Sequence, residues 1–196
     1  MNEREVLFTG VGGQGVQIVS KALAMAALSE GRQVLLLPRY GGGMRGGMTN
    51  ASLTVGADGG DLHALPVVTS AWAAFATDQA YWETVRPFLA DGAVIVVSST
   101  LFSIDIDVPG AQVFPVPAVD MAAELGNPMT AGFALLGAFA AVTGLVEIDS
   151  VKAAMRHLVP PYRVQHVEDN RRAIEAGAAS VPSLAAPAWP RVAEKT

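Results

Sequence analysis

Apolar positions along this chain alternate between two periods, and each change of period marks an element. Val6 to Phe8 is a short apolar run of the kind buried in a parallel sheet. Val16, Val19, Leu23, Ala26 and Ala27 recur at helical spacing, with Gly31 as a stop. Val34 to Leu37 is a second apolar run. Ala51 to Val55 alternates as a half-buried strand, and Asp58-Gly59-Gly60-Asp61 predicts a hairpin returning through Leu65 to Val68. Trp72 to Ala76 reads as a further buried strand. Thr77-Asp78 predicts the cap of a helix with Tyr81, Trp82, Val85, Phe88 and Leu89 on its apolar face, ended by Asp91-Gly92. Val94 to Val97 is the clearest parallel-sheet strand, and Gln112 to Val116 a shorter one. Four helices follow: Pro117 through Met121 to Leu125, a long apolar one from Asn127-Pro128 to Gly144, Val151 to Leu158 capped by Asp149, and Val164 to Ala176 capped by Gly177.

Apart from its hairpin, the pattern is strand–helix alternation. It predicts an α/β fold: a mostly parallel sheet with helices on both faces, a Rossmann-like glycine turn after the first strand, and one antiparallel hairpin. Residues 1–177 are expected to form one domain. From Ala178 the composition shifts to alanine, serine and proline with Trp189 isolated among prolines. Residues 178–196 are therefore expected to be a tail, disordered or wrapped on a partner.

Composition narrows the function classes. The chain is 51% hydrophobic, only 16% charged, and has a mean hydropathy of +0.37, so part of its apolar surface is expected to lie under other subunits. The net charge is −5 and no basic run exists, which argues against nucleic acid. Ala131 to Val146 runs 16 residues without a charge, shorter than the roughly 20 a membrane span needs, so a buried helix is expected. The opening Met-Asn-Glu-Arg-Glu lacks the basic and apolar regions of a signal peptide, so a cytoplasmic location is expected. The absence of cysteine excludes thiol nucleophiles and any cysteine-ligated cluster held by this chain. His63, His157 and His166 have no metal-site spacing; the last two are expected to face solvent.

Two glycine-rich stretches carry the candidate chemistry. Gly10, Gly12 and Gly15 form G-x-G-x-x-G between the first strand and first helix, with Gly13 and Gln14 inside it. Such a turn lets backbone N–H groups and a helix N-terminus face an anion, because no Cβ blocks the approach. A dinucleotide site would place a carboxylate at the end of the second strand. Here that run ends in Pro38-Arg39-Tyr40, and arginine suits a phosphate better than a ribose diol. A turn that only packs strand on helix explains the same glycines. The second stretch, Gly41 to Asn50, sets five glycines around Arg45, the last two being Gly46 and Gly47. It cannot be a stable helix or strand interior; it is a site of close backbone approach or a structural bend. Ser98-Ser99-Thr100 follows a buried strand, but no base accompanies these hydroxyls.

Several stretches together resemble the gamma subunit, or gamma domain, of the 2-oxoacid:ferredoxin oxidoreductases. Gly10-Val11-Gly12-Gly13-Gln14-Gly15 resembles that family's N-terminal glycine motif. Tyr40-Gly41 followed by Met44-Arg45-Gly46-Gly47 is similar to its second signature, Tyr-Gly-Pro-Glu-x-Arg-Gly-Gly. Glu124-Leu125-Gly126-Asn127, Leu136-Gly137-Ala138, and Glu168-Asp169-Asn170 with Ala173 and Gly177 resemble later segments, so the likeness covers residues 5 to 177. Gly42-Gly43 stand where Pro-Glu is usual, and Thr130-Ala131-Gly132-Phe133 lacks an asparagine common there.

The resemblance implies a non-catalytic subunit of an enzyme that oxidatively decarboxylates a 2-oxoacid to an acyl-CoA and reduces ferredoxin. Met44-Arg45-Gly46-Gly47 leans slightly toward the 2-oxoglutarate type. Thiamine diphosphate, Mg and [4Fe-4S] clusters would lie on other subunits, none held by this chain, with coenzyme A as co-substrate. The implied partners are alpha and beta subunits, a ferredoxin-like delta subunit in some complexes, and ferredoxin through the complex, with no nucleic acid and no membrane. Gly10, Gly12, Gly13, Gln14, Gly15, Arg39, Tyr40, Arg45, Gly46 and Gly47 are the expected contacts to coenzyme A or a neighbouring subunit. Two alternatives stay open: a free-standing nucleotide-binding α/β protein, and a purely structural packing module.

Overall fold

The computed structural model describes residues 3–41, 46–57, 59, 62–63, 67–158 and 164–189. Six strands form one sheet in the order β2-β3-β1-β4-β5-β6: β1 (Glu3–Val11), β2 (Val34–Tyr40), β3 (Met48–Gly56), β4 (Ala71–Ala76), β5 (Leu89–Ser98) and β6 (Gln112–Val116). β1, β4, β5 and β6 run parallel, while β3 is antiparallel to both β1 and β2. The chain leaves β1 through α1 (Val16–Ser29) toward β2 on one side, whereas β4 leads to β5 and β6 on the other. The crevice between β1 and β4, at their C-terminal ends, is therefore the point where the sheet's winding reverses. Open α/β sheets bind ligands at such points.

Strand alternation sorts the core into two clusters. Val6, Phe8, Phe75 and Val96 face one way and meet α1, α2 (Ala118–Glu124), α3 (Ala131–Thr143), α4 (Ile148–Leu158) and α5 (His166–Ala179). Leu7, Ala74, Ile95 and Val97 face the other way and meet Trp82, Val85 and Phe102. The uncharged helix α3 is buried from Gly132 to Thr143, because it lies between the sheet and α5. Gly137 and Gly177 set the α3–α5 distance: a Cβ on Gly137 would run into the backbone of Ile174, and one on Gly177 into that of Ala134.

The mixed α/β class agrees with the sequence pattern, and three details differ. The antiparallel pair is β2 with β3, Tyr40 opposite Thr49 and Val34 opposite Val55, and the glycine-rich stretch connects them in the chain, its residues 42–45 outside the described residues. The expected return strand does not form at Val67 and Val68; Leu65 lies outside the described residues. The helix expected after Thr77 is instead two 3₁₀ segments, Gln79–Thr84 and Arg86–Phe88. Pro87 lacks an N–H and would clash with the carbonyl four residues back in an α-helix. Val85, between the two segments, donates its N–H to the Trp82 carbonyl (3.0 Å), and both side chains enter the second cluster.

The third difference concerns the tail as far as Trp189; residues 190–196 lie outside the described residues. Residues 181–189 pack along this chain's own α3, with Leu184 N–H donating to the Ala141 carbonyl (2.7 Å) and Ala188 N–H to that of Thr143 (2.7 Å). The Trp189 indole donates to the Leu145 carbonyl (3.1 Å). The Arg4 guanidinium donates to the Ala188 carbonyl (2.6 Å) and stands over the rings of Trp72 and Trp189. Trp189, isolated in sequence, is thus a latch across β1 and the end of α3.

Candidate functional site

The end of β1 is shaped by what its glycines lack. A Cβ on Gly10 would collide with the Thr77 hydroxyl and lie 2.8 Å from Val16 Cγ2, so only glycine lets β1, β4 and α1 converge here. Gly13 (φ 106°) and Gly15 (φ 81°) adopt the left-handed backbone that turns the chain into α1. Gly15 is the N-cap of α1 and offers no capping side chain. The first amides of the helix therefore face the turn without a side-chain acceptor from their own cap.

Gln14 braces this turn. Its Oε1 accepts from the Val11 N–H (3.0 Å) and the Thr77 hydroxyl (2.7 Å), and its Nε2 donates to Asp78 Oδ2 (2.8 Å). Asp78 also accepts from the Ala80 N–H (2.9 Å), capping the 3₁₀ segment. One glutamine amide thus ties together the ends of β1 and β4 and the following turn.

The second glycine stretch docks onto the first. Gly12 N–H donates to the Gly47 carbonyl at 2.8 Å, and a Cβ on Gly12 would lie 3.3 Å from that oxygen. Gly41 N–H donates to the Met48 carbonyl (2.9 Å), closing the loop's base, and the Tyr81 hydroxyl donates to the Gly46 carbonyl (3.4 Å). Between the two stretches lies an open cleft of about 640 Å³ bordered by Gly12, Gly13, Gly15, Tyr40, Gly46 and Gly47. Tyr40 is 70% exposed at its rim.

The expected site residues do not all meet. Gly10 lies beneath the cleft, and the Gln14 side chain turns away from it into the bracing network. Arg39 borders a separate cavity of about 400 Å³ on the opposite face of the sheet with Leu37, Asn50 and Phe88. Period 2 along β2 forces this separation: neighbours Arg39 and Tyr40 point to opposite faces. Arg45 lies outside the described residues. Thr77 and Asp78 were missed as site residues. The sequence shows Thr77-Asp78 as a cap, and only the strand order places it beside the glycine turn.

A second, smaller cavity of about 160 Å³ opens on the other side of Gly13, bordered by Gln14, Thr77 and Ser98 and by Leu101, Val119 and Leu135. Among the described residues no group of histidine, aspartate and glutamate is placed to hold a metal, and no helix is long and apolar enough to cross a membrane.

Residues 5–180 match the pyruvate ferredoxin/flavodoxin oxidoreductase family. The chain belongs to that family. A similar member is the ketoisovalerate oxidoreductase subunit VorA of Methanothermobacter thermautotrophicus, 32% identical over 179 residues, covering 90% of this chain but only 36% of the relative. The chain thus spans about a third of that relative's length. The solved gamma subunit of the keto/oxoacid ferredoxin oxidoreductase from Geobacter sulfurreducens superposes with a TM-score of 0.75 at 26% identity, over 91% of this chain and 99% of that one. The 2-oxoglutarate:ferredoxin oxidoreductase of Magnetococcus marinus, solved with 2-oxoglutarate, coenzyme A and succinyl-CoA, has the same fold. Its TM-score is 0.80 at 16% identity, covering 93% of this chain and 32% of that one. Family membership therefore attaches to the whole α/β domain described above.

Proposed function

We propose that this chain is the gamma subunit of a thiamine-diphosphate-dependent 2-oxoacid:ferredoxin oxidoreductase, with its glycine cleft turned toward coenzyme A. The complex would convert a 2-oxoacid, with 2-oxoglutarate the candidate suggested by the second glycine signature, to its acyl-CoA. It would work in the cytoplasm, with alpha and beta partners holding the thiamine diphosphate, Mg and iron–sulfur clusters. With no cysteine, this chain supplies no thiolate to a cluster, so the oxidation chemistry belongs to the partners. Family membership and the whole-length likeness to a gamma subunit support this reading.

The observation that carries the coenzyme A role is the Gly12–Gly47 hydrogen bond, which joins two glycine stretches into one cleft at the start of α1. Backbone N–H groups without flanking Cβ atoms can approach phosphate oxygens closely, and the helix N-terminus favours their charge. Arg45, on the loop between Gly41 and Gly46, would add a charge-assisted contact to a phosphate or to an alpha-subunit carboxylate.

The test is steady-state kinetics on the assembled complex with Arg45→Ala and Arg45→Lys. Loss of a hydrogen bond to a charged group costs about 1.5–3 kcal/mol, so the KM for coenzyme A should rise roughly 10- to 150-fold in the alanine variant, with partial rescue by lysine. Dissociation of the complex on dilution would assign Arg45 to the subunit contact. Wild-type kinetics together with wild-type assembly would reject both roles.

A further inference from the structure

The cavity beside Arg39 lies on the sheet face opposite the glycine cleft, and the coenzyme A reading leaves it unused. Strand register builds its floor. Leu37, Ser52 and Leu7 stand abreast on β2, β3 and β1, and Arg39 stands opposite Asn50 in the next row. The five helices pack against the other face. Here the sheet meets only Val67 and Val68 on one side and Thr84, Val85 and Phe88 on the other. The space left is about 400 Å³, within the roughly 300–1,000 Å³ of small-molecule sites.

Two accessible polar groups border this space without a partner. Arg39 is exposed and neither donates to another group nor pairs with a carboxylate among the described residues. The Ser52 hydroxyl, half-buried at the floor, is likewise unpartnered among them. Ser52 is the diagonal neighbour of Arg39, close enough for the hydroxyl and the long arginine side chain to meet one ligand. The remaining polar groups are committed: Asn50 Nδ2 donates to the Thr84 hydroxyl (2.7 Å), which donates to the Tyr81 carbonyl (2.6 Å). That relay ties β3 to the 3₁₀ segment and holds the wall in place ahead of any ligand, which lowers the ordering cost of binding. Val67 and Phe88, 66% and 41% exposed, add apolar surface that an occupant would cover.

We propose that this cavity binds a small organic monocarboxylate, with the carboxylate on the Arg39 guanidinium and the Ser52 hydroxyl and an apolar body over Leu7, Leu37 and Phe88. The inference does not depend on the coenzyme A reading. Arg39 is the only charged residue on the border, so one negative charge is matched and no acidic side chain opposes it. A planar carboxylate accepts two parallel hydrogen bonds from the guanidinium fork. A phosphate would call for the clustered amides that the glycine cleft has and this cavity lacks. The aliphatic and aromatic walls favour a short aliphatic or aromatic body over a sugar or a second charged group.

The probe is para-fluorophenylacetate, followed by ligand-observed fluorine NMR on the full-length chain and on the assembled complex. Both should bind it saturably. Arg39→Ala should weaken binding roughly 10- to 150-fold, with partial rescue in Arg39→Lys, and para-fluorophenylacetamide, the uncharged isostere, should lose a similar factor on wild type. Acetate, which has the charge without the body, should compete at least roughly 10-fold less well than phenylacetate, the worth of about two buried methylenes. Ser52→Leu places an aliphatic side chain on the floor and should abolish binding. Circular dichroism should show both variants folded, since Arg39 is exposed and Ser52 half-buried. Absent binding to wild type, equal binding of acid and amide, or equal binding by wild type, Arg39→Ala and Ser52→Leu overturns the proposal. Binding to the free chain that vanishes in the complex also overturns it, because a partner subunit then fills the cavity.

Discussion

Replacing Gly177 by alanine sets two physical rules against each other at one position. Within a helix, alanine is favoured over glycine by roughly 1 kcal/mol, so propensity alone predicts a more stable protein. In the structure, a Cβ on Gly177 would lie 2.6 Å from the carbonyl carbon and 3.0 Å from the Cα of Ala134, with the carbonyl oxygen nearer still. Carbon atoms rest about 3.5–4.0 Å apart, so the carbon contacts alone require the two backbones to separate by about 1 Å. Helix α3 cannot retreat, because it is buried against the sheet along its length. Helix α5 must move, loosening the contacts of Val167, Ala173 and Ile174. Overpacking of this kind costs about 1–3 kcal/mol, and a clash with backbone rather than a flexible side chain belongs at the upper end. After the propensity gain, a net loss of about 2 kcal/mol remains. For a chain this size that is a fall in Tm of roughly 4–8 °C, readable by circular dichroism on heating and in urea. Gly137→Ala probes the same contact from α3, where the Ile174 carbonyl carbon would lie 2.7 Å away. The double variant should lose less than the sum of the two, since the first substitution already parts the helices. A Tm that rises in Gly177→Ala would refute the close approach of α3 and α5.

The glycine turn, the sheet edge and the tail each give a further expectation. Gly13→Ala meets no atom within 4 Å, so its cost is the left-handed backbone alone, about 1–3 kcal/mol in urea unfolding. Gly12→Ala should instead press on Gly47 and speed hydrogen exchange of the amide at position 12 beyond the ordinary glycine-to-alanine difference, and exchange as slow as in wild type would count against the docked loops. Burial, and then the charge of Glu3, push the Glu5 carboxyl above its ordinary range. The folded state therefore keeps that proton to higher pH than the unfolded chain, and ionisation costs stability that is retained below the unfolded pKa. Glu5→Gln should match wild type near pH 4 and become relatively more stable as pH rises to neutrality. Trp189→Ala removes the hydrogen bond to Leu145 and the stacking of Arg4 and Arg32, at about 2 kcal/mol. Protease should then cut after α5 faster than in wild type, and equal cutting would show that the latch holds nothing.

The sequence by itself determined the elements whose signal is local. The buried run from Val94 to Val97, the uncharged stretch that became α3, and the glycine turn opening α1 all follow from periodicity and glycine backbone freedom within a few residues. Family membership was legible for the same reason, since both glycine signatures are contiguous in the chain. Tertiary structure alone decided whatever depends on which strands become neighbours. Alternation told that Ala51 to Val55 is a strand, but its burial on both faces and its partners, β2 and β1, follow from long-range pairing. The same pairing set Arg39 and Tyr40 on opposite faces, docked Gly47 onto Gly12, and brought Thr77 to Gln14 across 63 positions. Trp189 looked stranded because its partners, Arg4 and Leu145, are remote in the chain. Composition can register that such a residue is apolar; only the packed fold supplies the surface that covers it.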